Sequence, residues 1–131
     1  MKSSHILRVC LLIVLLSATQ ACSQNGVEPK ATGTVASAPA EVRDGEQKFN
    51  TNCSTCHGIG GIGTTHGPPL VHKVYEPNHH GDAAFQRAAA NGVKAHHWQF
   101  GDMPKIDAVT TEDVDQIVKY VRWLQKQAGI F

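Results

Sequence analysis

Cys53, Ser54, Thr55, Cys56 and His57 concentrate the chemistry of this 131-residue chain. Two thiols three positions apart, with an imidazole directly after the second, share one face of a helical turn. Both thiols can reach one edge of a planar macrocycle, and His57 can turn a ring nitrogen toward a metal at its centre. C-x-x-C-H is the spacing by which a haem is held covalently through its two vinyl groups. Two other chemistries use parts of the pattern. A thiol–disulfide redox pair needs alternating strands and helices around the C-x-x-C, and none surround it. A structural zinc site needs a second pair at ligand spacing, whereas His79 and His80, like His96 and His97, are adjacent.

Residues further along could serve a bound haem. A haem-ligating histidine usually donates its second ring N–H to a carbonyl, and Pro68, in the run Gly67 to Leu70, offers one. Leu70 would then pack on the ring. The alternative for this run is a plain Pro-Pro turn. Met103 is the only thioether besides the initiator. Pro104 holds its backbone extended, and Gly101 lets the chain turn inward, which suits a loop aiming one side chain at a ring. The competing role for Met103 is core filler. The irregular stretch 95–105 must fold around the haem and brings Trp98 to it. Residues 58–63 match G-x-G-x-x-G, but a dinucleotide site needs that motif between a strand and the helix it opens. These glycines instead let the backbone turn closely at the haem edge.

Export explains the start of the chain. Lys2, His5 and Arg8 precede an apolar run from Val9 to Leu16, far short of the ~20 residues that span a bilayer as a helix. Residues 17–22 resemble a bacterial lipobox, with Cys22 as the lipidated first residue of the mature protein. Thr19 and Gln20 depart from the usual lipobox residues. Ordinary cleavage after Ala18 or Ala21 is the other reading, and it leaves a free thiol at or near the new terminus. Residues 1–21 are thus a signal peptide, and residues 22–40, rich in small and polar types, form a flexible tether. Its eighteen residues after Cys22 would span roughly 25 Å. Every cysteine is then used, and no pair remains for a structural disulfide. Without the leader, ten basic side chains face eleven acidic ones. Nothing in that balance suits nucleic acid, which wants a basic patch.

Residues 41–131 make one small domain whose core is marginal unless a macrocycle supplies its centre. A first helix should open between Pro39 and Asp44 and run into the haem motif, with Gly45 and Phe49 on one face. Residues 82–92 read as a short helix with Phe85, Ala88 and Ala89 as its apolar stripe. The last helix is the clearest. Thr110 caps it, Asp113 stands third inside, and Val109 with Val114 suits a hydrophobic staple. Val114, Ile117, Val118, Val121 and Leu124 recur at helical spacing until Gly129. There is no strand pattern.

In this order the features resemble a class I, mono-haem c-type cytochrome, over roughly residues 41–131. The resemblance implies an all-α cytochrome c fold of few helices wrapped around one covalent haem c. In that family the first and last helices cross, which would set Gly45 and Phe49 against Ile117 and Tyr120. The carbonyl that orients the haem histidine maps to Pro68, and the second iron ligand maps to Met103, 46 residues after His57. The implied function is single-electron transfer between larger redox proteins, not enzymatic catalysis, in the bacterial periplasm, with a lipid anchor to the membrane at Cys22. The histidines His66, His72, His79, His80, His96 and His97 are a departure, since any could replace Met103 on iron, bind copper or dock a partner. Two alternatives stay open: a haem enzyme or gas sensor with a labile sixth position, and a histidine-rich copper- or haem-binding module.

Overall fold

The computed structural model describes residues 38–131. The leader, Cys22 and nearly all of the expected tether lie outside the described residues.

The chain enters through a 3-10 turn, Ala40–Val42, and continues as helix α1, Arg43–Asn52. This helix does not run unbroken into the haem motif. Cys53 leaves helical geometry at φ −121°, and the chain resumes as a single turn, α2, Ser54–His57. The hydrogen bonds bridge the break: Cys53 N–H donates to the Phe49 carbonyl at 2.8 Å, and His57 N–H to the Cys53 carbonyl at 2.9 Å. The kink keeps the motif attached to α1 while re-aiming its side chains.

After two short 3-10 turns, Ile59–Gly61 and Lys73–Tyr75, come helix α3, Asp82–Asn91, and helix α4, Thr111–Gln127. α4 opens on the capping box expected at Thr110. The Thr110 hydroxyl accepts from Asp113 N–H at 3.2 Å, and Asp113 Oδ2 accepts from Thr110 N–H at 2.9 Å. All five residues of its apolar stripe are buried, and Tyr120 and Gln125 join them.

α1 and α4 cross at Gly45. A Cβ built there would lie 2.0 Å from the Gln116 carbonyl oxygen and 3.0 Å from Tyr120 Cβ, so only glycine allows the approach. One turn on, Phe49 is fully buried against Tyr120, with ring centroids 5.6 Å apart and planes inclined at 56°. Val42, Leu70, Ile117, Val121 and Leu124 close the same cluster. Burial is concentrated in this crossing. α3 contributes no fully buried residue, and its stripe of Phe85, Ala88 and Ala89 faces a cavity instead.

Among the described residues one β-bridge occurs, an isolated antiparallel pairing of Val93 with Met103. A two-residue contact is too short to leave an alternating pattern, which is why the sequence shows no strand.

Candidate functional site

The kink at Cys53 brings Cys53, Cys56 and His57 to the wall of a cavity of about 870 Å³, which Pro68, Leu70, Trp98 and Met103 also line. Both cysteines are free thiols, Cys53 half-buried and Cys56 exposed. Burial, and then the neighbouring Cys56, push the Cys53 thiol up to about 11, so it keeps its proton at neutral pH.

His57 is held in one orientation. Its Nδ1 lies 2.9 Å from the Pro68 carbonyl oxygen. A carbonyl only accepts, so the proton sits on Nδ1 and the Nε2 lone pair is left for a metal. Burial lowers the His57 pKa, and the Pro68 hydrogen bond offsets part of that, which favours a neutral, ligating ring.

The Pro68 carbonyl is itself fixed by the turn around it. Thr64 Oγ1 donates to the Cys56 carbonyl at 2.6 Å, and Thr64 N–H to the Gly67 carbonyl at 3.0 Å. Leu70 and Val71 both donate to the Gly61 carbonyl, at 2.8 and 3.0 Å. The glycine run lets the chain reverse over the motif. Gly58 adopts φ +76°, and a Cβ there would lie 2.6 Å from the Gly63 carbonyl oxygen.

Met103 is half-buried and reaches the cavity from a pinned backbone. It exchanges two hydrogen bonds with Val93, both 2.9 Å, and Ile106 N–H donates to the Ala89 carbonyl at 2.8 Å. Loop 94–102 between the bridged residues is closed by Lys94 Nζ on Asp102 Oδ2 at 2.8 Å and by Ala95 N–H on Asp102 Oδ1 at 2.9 Å. The Lys94 hydrogen bond, seconded by the Ala95 N–H, holds the Asp102 carboxyl below its usual range. Trp98 on this loop meets His72 edge-on, with centroids 5.1 Å apart. The indole Nε1–H is buried near the Tyr75 hydroxyl, without a hydrogen bond of good geometry.

These features fit a covalent haem. The volume falls within the ~300–1,000 Å³ of pockets that bury a cofactor-sized molecule, and Leu70, Phe85 and Ala88 give the wall apolar surface. Two thiols stand beside an oriented imidazole, and the buried Trp98 N–H lacks a well-formed hydrogen bond, so it could turn to a carboxylate such as a haem propionate. Cys53, Cys56 and His57 would hold the macrocycle and its iron.

A helical domain that places C-x-x-C-H on a cavity of this kind is a haem-binding module of the covalent type. The family model for cytochrome c matches residues 42–125, and the chain belongs to that family. Membership carries haem c binding and electron transfer as the family's general activity, and it agrees with the all-α fold. No curated protein and no solved structure matched the chain.

Sequence reasoning missed three residues that position the site. Val93 pins Met103 through the main chain alone, so its side chain gave no signal. Arg122 and Gln125 on α4 clamp the segment that carries His79 and His80. Gln125 Nε2 donates to the Leu70 and Tyr75 carbonyls at 2.8 and 2.9 Å. The Arg122 guanidinium bonds the Tyr75 and His80 carbonyls, Asp82 and Gln125, and lies 5.0 Å from the centroid of the Phe85 ring. A glutamine on the buried face of α4 was the available clue, one residue after Leu124 in the apolar repeat.

Proposed function

We propose that this protein is a single-electron carrier of the cell envelope, holding one haem through Cys53 and Cys56, with His57 and Met103 as the two iron ligands. The observation that carries this reading is that His57, its Nδ1 committed to Pro68, shares one cavity with Met103, whose backbone Val93 fixes. Haem held there would supply one-electron Fe(III)/Fe(II) chemistry, at a potential that ligation by a thioether and a histidine would raise. The Pro68 carbonyl keeps the proton on Nδ1 and so keeps Nε2 available. The Val93 bridge presents the thioether without a proton to lose. With both positions filled by the protein, small molecules would find no vacant site, which separates a carrier from an enzyme or sensor.

The first test is spectroscopic. Ferric protein should show the weak red methionine–iron charge-transfer band and bind carbon monoxide slowly after reduction. A missing band with rapid carbon monoxide binding would replace the carrier by an open-site haem protein.

The reading extends to location. A periplasmic domain anchored through lipid on Cys22, on a tether of residues 22–40, would meet donor and acceptor proteins at the membrane. The protein should fractionate with membranes, and Cys22→Ser should release a soluble or unprocessed form with its haem spectrum unchanged. Mass spectrometry that finds an unmodified mature terminus would remove the anchor from this proposal.

A further inference from the structure

Four histidines that line the haem cavity, but to which the haem reading gives no ligand role, gather from two segments of the chain. His79 and His80 follow the 3-10 turn Lys73–Tyr75, and His96 and His97 sit on the loop pinned by the Val93–Met103 bridge. Their rings meet in a cluster. The His97 centroid lies 5.0 Å from His79, 5.1 Å from His80 and 4.3 Å from His96. The candidate ligand nitrogens of His79, His80 and His97 all lie within 4.8 Å of one another.

From this geometry we propose that His79, His80 and His97 bind one divalent first-row transition-metal ion on the wall of the haem cavity, at a centre distinct from the haem iron, with His96 packed beside them. Imidazole is a preferred ligand for Cu²⁺ and Zn²⁺, and the general order of affinities puts Cu²⁺ first. Two imidazole nitrogens on one tetrahedral ion at ~2.0–2.1 Å would be roughly 3.4 Å apart. Closing from 4.8 Å to that distance needs ring rotations at the exposed His79 and His97 and a smaller adjustment at the half-buried His80.

Hydrogen bonding supports the site independently of proximity. A metal-ligating histidine typically gives its other ring N–H to a carbonyl, which fixes tautomer and aim. His80 Nδ1 lies 2.6 Å from the Val74 carbonyl, so its Nε2 is free to coordinate. His96 Nδ1 makes the same kind of bond to the Lys94 carbonyl at 2.7 Å. The ring nitrogens of His79 and His97 have no hydrogen-bond partner among the described residues. Arg122 holds the His80 carbonyl from α4, so this half of the site rests on a rigid element.

Charge points the same way. No carboxylate belongs to the cluster, and protonating several touching imidazoles sets like charges together. The proposal holds whether or not Met103 completes the haem iron, provided that none of these four histidines does.

The test uses the mature, haem-loaded protein in the ferric state, dialysed against chelator and titrated separately with Cu²⁺ and Zn²⁺ at neutral pH, with bound metal counted by elemental analysis. One equivalent should bind, more tightly for Cu²⁺. His79→Gln and His97→Gln, both exposed positions, should each weaken binding by roughly 100-fold, the upper end of what lost outer partners alone cost. His66→Gln, outside the cluster, should bind as wild type does. The haem spectrum of the two cluster variants should match wild type, which also reports that they fold. Failure of wild type to bind one equivalent, or equal binding by the cluster variants, would overturn the proposal. So would a changed iron-ligand signature in His79→Gln or His97→Gln, since that assigns the histidine to the haem.

Discussion

Two nitrogens of one ring separate the tasks at His57, a residue of the cavity wall: Nδ1 is spent on the Pro68 carbonyl at 2.9 Å, and Nε2 is left for a metal. Met103 has a single soft, neutral sulfur, and its placement depends on main-chain bonds to Val93 rather than on its own side chain. Met103→Ala should therefore leave the fold intact while removing the methionine–iron band and admitting cyanide or carbon monoxide readily. The midpoint potential should fall by an amount on the order of 100 mV, a modest part of the range that axial ligands control. Redox titration of wild type and variant checks it, and an unchanged potential would show that Met103 only fills space. Local chemistry was legible in the sequence at this scale. Cys53, Cys56 and His57 sit within five residues, and the spacing alone states their task. Pro68 was legible as a residue type whose free carbonyl suits a ligating histidine. Gln125 was not, because the Leu70 carbonyl it satisfies lies 55 residues away.

Helix α1 against helix α4 shows what an element-level contact demands. Gly45→Ala would ordinarily favour a helix by ~0.5–1 kcal/mol. Here the new Cβ would lie 2.0 Å from the Gln116 carbonyl oxygen, an atom of helix backbone that cannot rotate aside. The helices must separate, and overpacking of this kind costs about 1–3 kcal/mol, enough to outweigh the propensity gain. Thermal melts should show a lower midpoint for Gly45→Ala, and a raised one would mean that the crossing is loose. The start of α4 carries a pH-dependent contribution. Asp113 accepts from the Thr110 N–H and is paired with Lys48 of α1 at 3.0 Å; these bonds hold its carboxyl down at about 2, against 3.8 for the free group. A carboxylate with a depressed native pKa stabilises the fold above its unfolded pKa, and that stabilisation fades as pH falls from about 4 to about 2. Asp113→Asn should flatten the acid limb of melting temperature against pH in that window and leave the neutral plateau less changed. Both helices were legible beforehand, since a capping box and a 3.6-residue apolar repeat are local patterns. The break at Cys53 was not, because the helical spacing of C-x-x-C-H is satisfied equally by one continuous helix and by a turn set at an angle to α1.

The whole domain divides into a packed part and a part assembled around the cavity. Buried apolar residues collect where α1 crosses α4, from Val42 and Phe49 to Tyr120, Val121 and Leu124. α3 has none; half-buried Phe85 packs on the edge of that cluster, and the rest of its attachment is Arg122 over Phe85, the Arg122–Asp82 ion pair, Gln86 on Asp115 and the Ile106–Ala89 hydrogen bond. A domain this small has little apolar area to spare, so the surface of α3 and of loop 94–102 that faces the cavity becomes part of a core only when a large apolar group fills it. Segments with few buried contacts open at low free energy, and packed elements open only with global unfolding. Protein carrying both Cys53→Ala and Cys56→Ala, purified free of haem, should consequently unfold in parts rather than as a unit. Hydrogen exchange should find amides of α1 and α4 still protected, while those of residues 82–106 exchange at least tenfold faster than in the haem-loaded protein. Near-ultraviolet circular dichroism from Trp98 should be largely lost, while far-ultraviolet helix signal falls by less. The α1–α4 crossing supplies an internal control: if it loses protection together with α3, the haem holds up the entire domain. If α3 instead stays as protected as α1 without haem, the polar clamp from Arg122 is sufficient by itself, and the cavity is a finished pocket rather than half of an unfilled core.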